Sequence, residues 1–582
     1  MEKRTLLAVV LSVLVITGFW IIQGMFFPPP APPAPTEQSP VSGGPAVPGQ
    51  PALPGLPGSG STEILSLEEP VSEQTVTIDT PLLIVQLSNA GGDITSFKLK
   101  EHQDGDDRVE MILSGNEEAH AFTVAFGTMQ VEPVHSRFYV NRLSDYAVEF
   151  YRDFTIPNGG TFRLAKRYEF KPNEYMFEMT ILLDGGHAVS SFNFSGVAYT
   201  LGFGPQIGPK FEKLDQYEYR NYYTFTNGKQ KQEKASENPI VNHPAWAAIA
   251  GKYFAFIAIP YANQYELTFS AKPEPGLASA SRLYLTRPAV NGRTEDIYRF
   301  YLGPKNQSNL GIYNNGNNAF NLRDMELIKV ANTSGILTPL ETALKWVLSL
   351  FYKIVPNYGI AIIFLTLLVK ILLFPLTKKS SETTLRMQTL APKIKEIQEK
   401  YKDNPQKMNM EMAEFYKKEG YNPLAGCLPL LLQFPIFIAM YNLFNNHFDL
   451  RGAMFIPGWI PDLSLPESVF NFSPFRLPLL GWSDIRLLPF IYVGSQLLFG
   501  KVTQTPDQQG NPQMKMMLYA MPVIFFFVLY NVPSGLLLYW IMSNLLSLVQ
   551  QVIINKYIAQ KRADIGAAAS EPVIAPKKKK KR

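Results

Sequence analysis

Lys370 lies inside NYGIAIIFLTLLVKILLFPLTKK, residues 357–379, and is the one charge there before the closing Lys378 and Lys379. A lysine in the middle of a membrane span costs about 2.5–3.5 kcal/mol on insertion scales, so it needs a polar cavity, a partner or the water interface. Three chemistries fit. Its stem can snorkel toward Lys378, about 12 Å away along a helix. It can furnish a hydrophilic pocket within a helix bundle. It can serve an ion-coupled transport site, which would call for an acidic partner in another span. The other apolar stretches hold no Asp or Glu in their middles, which weakens the third reading. Their polar residues are neutral: Gln433 in one, Gln496 in another, and Tyr539, Trp540, Ser543, Asn544, Gln550 and Gln551 in the last.

Other chemistry is sparse. The chain of 582 residues has one cysteine, Cys427, which excludes an internal disulfide. Six scattered histidines show no metal-type spacing in sequence. Walker A, HExxH and GxSxG patterns are missing, so neither an enzyme nor a resident cofactor or metal is expected. A net charge of +5 is small for this length and does not point to nucleic acid. Asp104, Asp106 and Asp107 lack the calcium-loop spacing and read as a solvated turn. The aromatic run YEYRNYYTF, residues 217–225, reads first as a packed strand face, and second as a sugar or peptide platform.

The elements that must position Lys370 follow from hydropathy. Leu6–Phe27 is long enough to span; Lys3 and Arg4 before it put the N-terminus in the cytoplasm. Residues 1–27 are therefore expected to be an uncleaved anchor. Residues 28–61, rich in Pro, Gly, Ala and Ser, form a linker. Residues 62–335 show short period-two segments, such as TVTID at 75–79, TFRLAKRYEF at 161–170 and IYRFYLG at 297–303. That pattern predicts a large all-β sandwich outside the membrane. Residues 336–356 predict an amphipathic helix with Thr338 as cap and Glu341 closing a capping box. It would lie on the outer membrane surface or pack on the β-domain. Residues 357–557 then hold five spans, for six in all. Residues 378–420, with ten Lys or Arg against seven Asp or Glu, form a cytoplasmic helical hairpin. Its Met408, Met410 and Met412 suit a soft contact surface or packing between its helices. Residues 447–484 form an outer loop, and the basic tail 558–582 ends PKKKKKR in the cytoplasm.

FPLTKK at 374–379, LAPKIKEIQEKY at 390–401, YNPLAGCLPLLLQFPIFIAMY at 421–441 and PSGLLLYWIMSNLLSLVQQ at 533–551 resemble the YidC family of membrane-protein insertases. The form resembled is the one with a large periplasmic domain; SNAGGDITSFKLK at 88–100 and AIAGKYFAFIAIP at 248–260 extend the likeness. The resemblance implies an inner-membrane protein with both termini cytoplasmic and residues 28–356 periplasmic. It implies a groove open to cytoplasm and lipid, with Lys370 at the position where the family normally carries arginine. Lysine keeps the charge and loses the bidentate fork. Thr366, Tyr539 and Trp540 match further groove positions; Gln433, Ser543 and Asn544 would line the groove or serve as helix–helix partners. Nascent membrane proteins are the implied clients, and the lipid bilayer the medium. The Sec translocon and the ribosome are implied partners, the latter through the hairpin and tail; the tail equally suits anionic lipid. The family's outer domain resembles a sugar-epimerase sandwich, but fold does not transfer activity. A chaperone or assembly scaffold, a transporter, and a carbohydrate-binding envelope protein are the rival functions.

Overall fold

A computed structural model describes residues 65–66, 71–114, 119–156, 160–204, 206–211, 214, 218–261, 265–274, 277–331, 337–401, 404–419, 428–477, 482–503 and 512–569. The expected anchor and linker, Cys427 and the lysine-rich end lie outside the described residues. The chain divides into two compact units, Met1–Thr333 and Ser334–Arg582.

The first unit is all-β. Its largest sheet is antiparallel and centres on Ala147–Ile156, Gly160–Phe170, Met176–Asp184, Thr294–Pro304, Phe254–Pro260, Trp246–Ala250 and Asn221–Thr226, neighbours in that order. A five-stranded sheet contains Ser191–Phe203, Leu277–Asn291 and Glu266–Glu274. A four-stranded meander runs from Thr75–Asp79 to Asp107–Glu110. Along Ala147–Phe154 buried and half-buried residues alternate, as a sheet with one face on a core requires. Phe203 of the five-stranded sheet stacks on Phe256 of the large sheet at 3.8 Å, and Phe122 meets Phe177, Phe203, Phe256 and Phe300 at 4.6–6.1 Å. These rings fill the space between the sheets, each pair adding about 0.5–1.5 kcal/mol beyond area burial. The sandwich expected from the alternation is present.

The aromatic run is strand packing, not a surface platform. Tyr222, Tyr223 and Phe225 are buried, and Phe225 lies flat on Trp246 at 5.1 Å. Asp104 and Asp107 flank a tight hairpin, where Asp104 accepts from the Lys210 amide and Asp107 faces Lys98.

The second unit is helical: α1 (Thr338–Ile354), α2 (Tyr358–Lys400), α3 (Pro405–Lys418), α4 (Leu428–Asn446), α5 (Leu488–Thr503), α6 (Pro512–Leu529) and α7 (Ser534–Ala569). Among the described residues two stretches, Tyr358–Ser380 and Ser534–Tyr557, are long and apolar enough to cross a membrane, and Leu488–Val502 and Tyr519–Leu529 are shorter apolar helices. Leu344 and Leu348 of α1 join one core with Ile362 and Leu365 of α2, Met440 and Phe444 of α4, Tyr492 of α5, and Leu537 and Tyr539 of α7. The outer faces are equally apolar: Ile371, Leu372, Phe434, Phe490, Ile524, Val549 and Ile553 are all exposed. Exposed apolar surface on that scale belongs in lipid rather than water.

One local expectation is corrected. Thr338 does not cap α1: Leu337 holds the cap position without a side-chain bond. Thr338 is already inside the helix, where its carbonyl accepts from the Thr342 hydroxyl, and Glu341 accepts from the Asn442 amide at 2.7 Å instead of closing a box. The first bundle span continues without a break into the first helix of the hairpin. It stays helical for 43 residues, through Pro375 and Pro392, a length of about 65 Å. Asn404 then caps α3 through the Lys407 amide, and Lys393 pairs with Glu419 across the hairpin. Met410 is exposed, while Met408 and Met412 are half-buried.

Candidate functional site

Thr366 and Lys370 lie one turn apart on α2, on the stripe begun by Ile362. On α7, Tyr539, Ser543 and Ser547 repeat every four residues, and Gln550 follows three later. The two stripes face each other. The Lys370 ammonium donates to the Ser547 hydroxyl at 2.7 Å, and the Gln550 amide donates to the Lys370 carbonyl at 3.0 Å. The lysine is thus largely enclosed, at 9% exposed, and its contact across the helices is a neutral hydroxyl. Among the described residues no carboxylate forms an ion pair with it. A proton-relay or ion-coupled site built on a Lys–carboxylate pair is not what this arrangement offers. The arrangement instead encloses the lysine head group among neutral polar partners, Ser547 and the helix backbone.

Thr366 is fully buried, and its hydroxyl donates to the Ile362 carbonyl one turn back at 2.7 Å. That bond keeps the hydroxyl satisfied within its own helix. Ser543 is buried on α7, one turn beyond Tyr539 on the same stripe. Tyr539 is 2% exposed and packs its ring near Phe444 at 6.1 Å. Trp540, on the adjacent face, stacks on Phe437 at 5.0 Å and nearly parallel, and approaches Tyr492 at 5.8 Å. Asn544 reaches α5, where it donates to Ser495 at 3.1 Å, and Ser495 donates to the Tyr492 carbonyl. Gln433 is half-buried on α4, two residues before Pro435. Lys370, Thr366 and Ser543 therefore belong to the α2–α7 seam, while Trp540 and Asn544 turn toward α4 and α5. Ser547 and Ser495 are partners that the sequence did not single out, and Gln550 stood out there only as a polar residue of the last span. Ser547 continues the four-residue spacing of Tyr539 and Ser543, and that was its available signal.

One end of the bundle is tied by the loop 447–485. Glu467 is buried and accepts from the Leu488 amide at 2.6 Å, at the start of α5, and from the Trp459 indole. Ser534 at the start of α7 donates to the carbonyls of Asp462 and Leu465. The side-chain oxygen of Asn357, which caps α2, accepts from Ile360, and its amide donates to the Phe455 carbonyl. Gly359 lies so close to Phe455 that a methyl group there would meet the ring at 2.0 Å. Arg486 donates to the Tyr530 carbonyl, and Trp482 stacks on the Tyr530 ring at 3.5 Å.

A family model described as the 60Kd inner membrane protein matches residues 350–561, and one described as the YidC periplasmic domain matches residues 75–329. The membrane protein insertase YidC of Treponema denticola is 46% identical over 581 residues, covering 96% of this chain and 99% of that protein. The chain belongs to the YidC family of membrane protein insertases. The YidC of Treponema pallidum is 38% identical, again over 96% of this chain and 99% of its own length. A crystal structure of an active YidC insertase, with its first transmembrane domain resolved, covers 84% of this chain and 94% of its own at 18% identity and a TM-score of 0.32. The β-sandwich unit is thus a YidC periplasmic domain, and the helical unit falls in the inner-membrane part of the family.

Proposed function

We propose that this protein integrates nascent membrane proteins through the α2–α7 seam, with Lys370 as the attracting charge. Its helices α2, α4, α5, α6 and α7 are the five spans of the core; with residues 6–27 they make six, both termini facing the cytoplasm and residues 28–356 the periplasm. The observation that carries this reading is the inverted polarity of the helical unit. Its outer faces are apolar, while Lys370, Thr366, Ser543 and Ser547 point between helices. A substrate segment with an acidic outer tail enters from the cytoplasm. Lys370 draws the tail part-way across, and the hydroxyls replace some of its water. The apolar helix then passes sideways into lipid past Tyr539 and Trp540, driven by burial of its own apolar surface. No nucleotide is consumed. The outer loop, tied to the starts of α2, α5 and α7, supports a seam closed on the periplasmic side.

Lysine serves here as a point charge. Attraction of a carboxylate needs no bidentate geometry, so the change from the family's arginine retains the function. The amphipathic α1 supports an interfacial placement: Leu344 and Leu348 face the helical core, while Trp346, Leu350 and Ile354 form an exposed apolar stripe. The hairpin α2–α3 and the basic tail are the surfaces offered to the ribosome, the tail equally suiting anionic lipid, and the Sec translocon is a further partner.

The test is insertion of a single-span, acidic-tailed substrate into vesicles carrying Lys370→Glu, Lys370→Ala or Lys370→Arg protein. Glu abolishes insertion, Ala weakens it and Arg preserves it. Wild-type insertion by all three variants would reduce Lys370 to a snorkelling residue and remove the charge from the mechanism.

A further inference from the structure

The sequence separates Asp93, His120 and His135 by 27 and 15 residues, and the fold of the β-unit brings them together. Asp93 opens the strand Asp93–Asp104. Ile94, next to it, pairs with Ala121, next to His120, and Gly91 bonds through its amide to the carbonyl of Ser136, next to His135. Gly91 has a φ of +71°, and a side chain there would strike the Asp93 carboxylate and the Val134 carbonyl. The backbone thus leaves this corner to the three side chains. One nitrogen from each histidine and one oxygen of Asp93 lie within 4.8 Å of one another.

The Asp93 carboxylate is divided between two tasks. Its Oδ1 accepts from the buried Lys166 ammonium at 2.5 Å; the other Lys166 bonds go to the carbonyls of Gly91 and Phe122. Three acceptors use all three donors, so Lys166 is locked and fixes the carboxylate. Its Oδ2 faces His120 Nδ1 at 3.2 Å. The His135 ring stands edge-on to His120, 5.6 Å between centroids, on an exposed segment.

We propose that Asp93, His120 and His135 form a site for an imidazole-preferring divalent metal of the zinc, copper or nickel type. Metal–ligand lengths of about 2.0–2.1 Å set tetrahedral ligands about 3.3 Å apart. The His120–Asp93 pair already has that separation, and the exposed His135 ring closes the third side. Two imidazoles and one monodentate carboxylate select these metals over calcium or magnesium, which need more oxygens. Lys166 acts as the outer partner that orients the carboxylate, and its charge keeps the affinity moderate. A water takes the remaining position.

The experiment is a titration of the full chain, free of any polyhistidine tag, in nanodiscs, with Co²⁺ as the absorbing probe and Zn²⁺ as competitor. One equivalent of Co²⁺ develops visible d–d bands and is displaced by Zn²⁺. His135→Ala and His120→Gln each weaken binding by at least about tenfold, while His187→Ala, at an exposed histidine elsewhere, leaves it unchanged. Because His135 is exposed, its variant tests the site without loading the fold. Failure to saturate, or binding that survives either of the two substitutions, overturns the proposal.

Discussion

At the scale of single residues, Lys370 and Ser547 form a unit. A charge in a span is visible in sequence because its cost is large and local. Its partner is not: Ser547 sits in LLSLVQQ as one small polar residue among many, and serines there are ordinarily helix–helix contacts. Ser547→Ala removes the hydroxyl that holds the ammonium across the seam. Insertion of the acidic-tailed substrate is expected to fall about tenfold, the equivalent of about 1.4 kcal/mol and the low end for a hydrogen bond to a charged group. Wild-type rates in that variant would show that Lys370 is held elsewhere. His447 offers a second test. It is buried at the end of α4 between Tyr358, Asp449 and Lys345, and burial pulls its pKa down from 6.5 to about 4. Between these values the unfolded chain binds more protons than the folded one, so stability present above pH 6.5 is lost as pH falls toward 4, by up to about 1.4 kcal/mol per unit. Thermal unfolding in detergent at pH 7, 5.5 and 4.5 should show this slope, and His447→Gln should flatten it.

At the scale of elements, hydropathy located the helices and period-two alternation located the strands. Both signals come from burial on one face, which is repeated along each element. Caps and joints depend on one or two side chains and were less legible. TPLE satisfies the pattern of a capping box, yet Glu341 finds Asn442 on α4, and that tertiary bond supersedes the local one. Gly359 is a similar case, since nothing nearby in the chain announces Phe455. Gly359→Val should force α2 away from the outer loop and destabilise the helical unit by about 1–3 kcal/mol, the usual range for overpacking. Denaturant unfolding followed by tryptophan fluorescence, which reports Trp459 and Trp482 in that loop, checks it. An unchanged midpoint would mean that the loop yields freely.

At the scale of the whole molecule, the chain is built as two compact units. The β-unit has its aromatic core and a buried Asp93–Lys166 pair of its own. Residues 62–335 expressed alone should therefore give a β-sheet circular dichroism spectrum and one cooperative thermal transition; a featureless melt would show that the core is incomplete. The order of a β-unit followed by a helical unit was legible because hydropathy changes sharply between them. The histidine corner was not, because only sheet pairing makes neighbours of residues so far apart in the chain. The uninterrupted α2 carries a mechanical consequence. Its stretch beyond Leu376 extends about 36 Å as a cantilever whose root is the turn next to Lys370. A 10° deflection at the root would swing the free end by about 6 Å. Pro375 withholds the amide that would bond the Ile371 carbonyl, as Pro392 does for the Gln388 carbonyl, so the rod has two compliant turns, and the first of them adjoins Lys370. A load on the hairpin would bend the rod at these two turns, the nearer of them within two turns of Lys370.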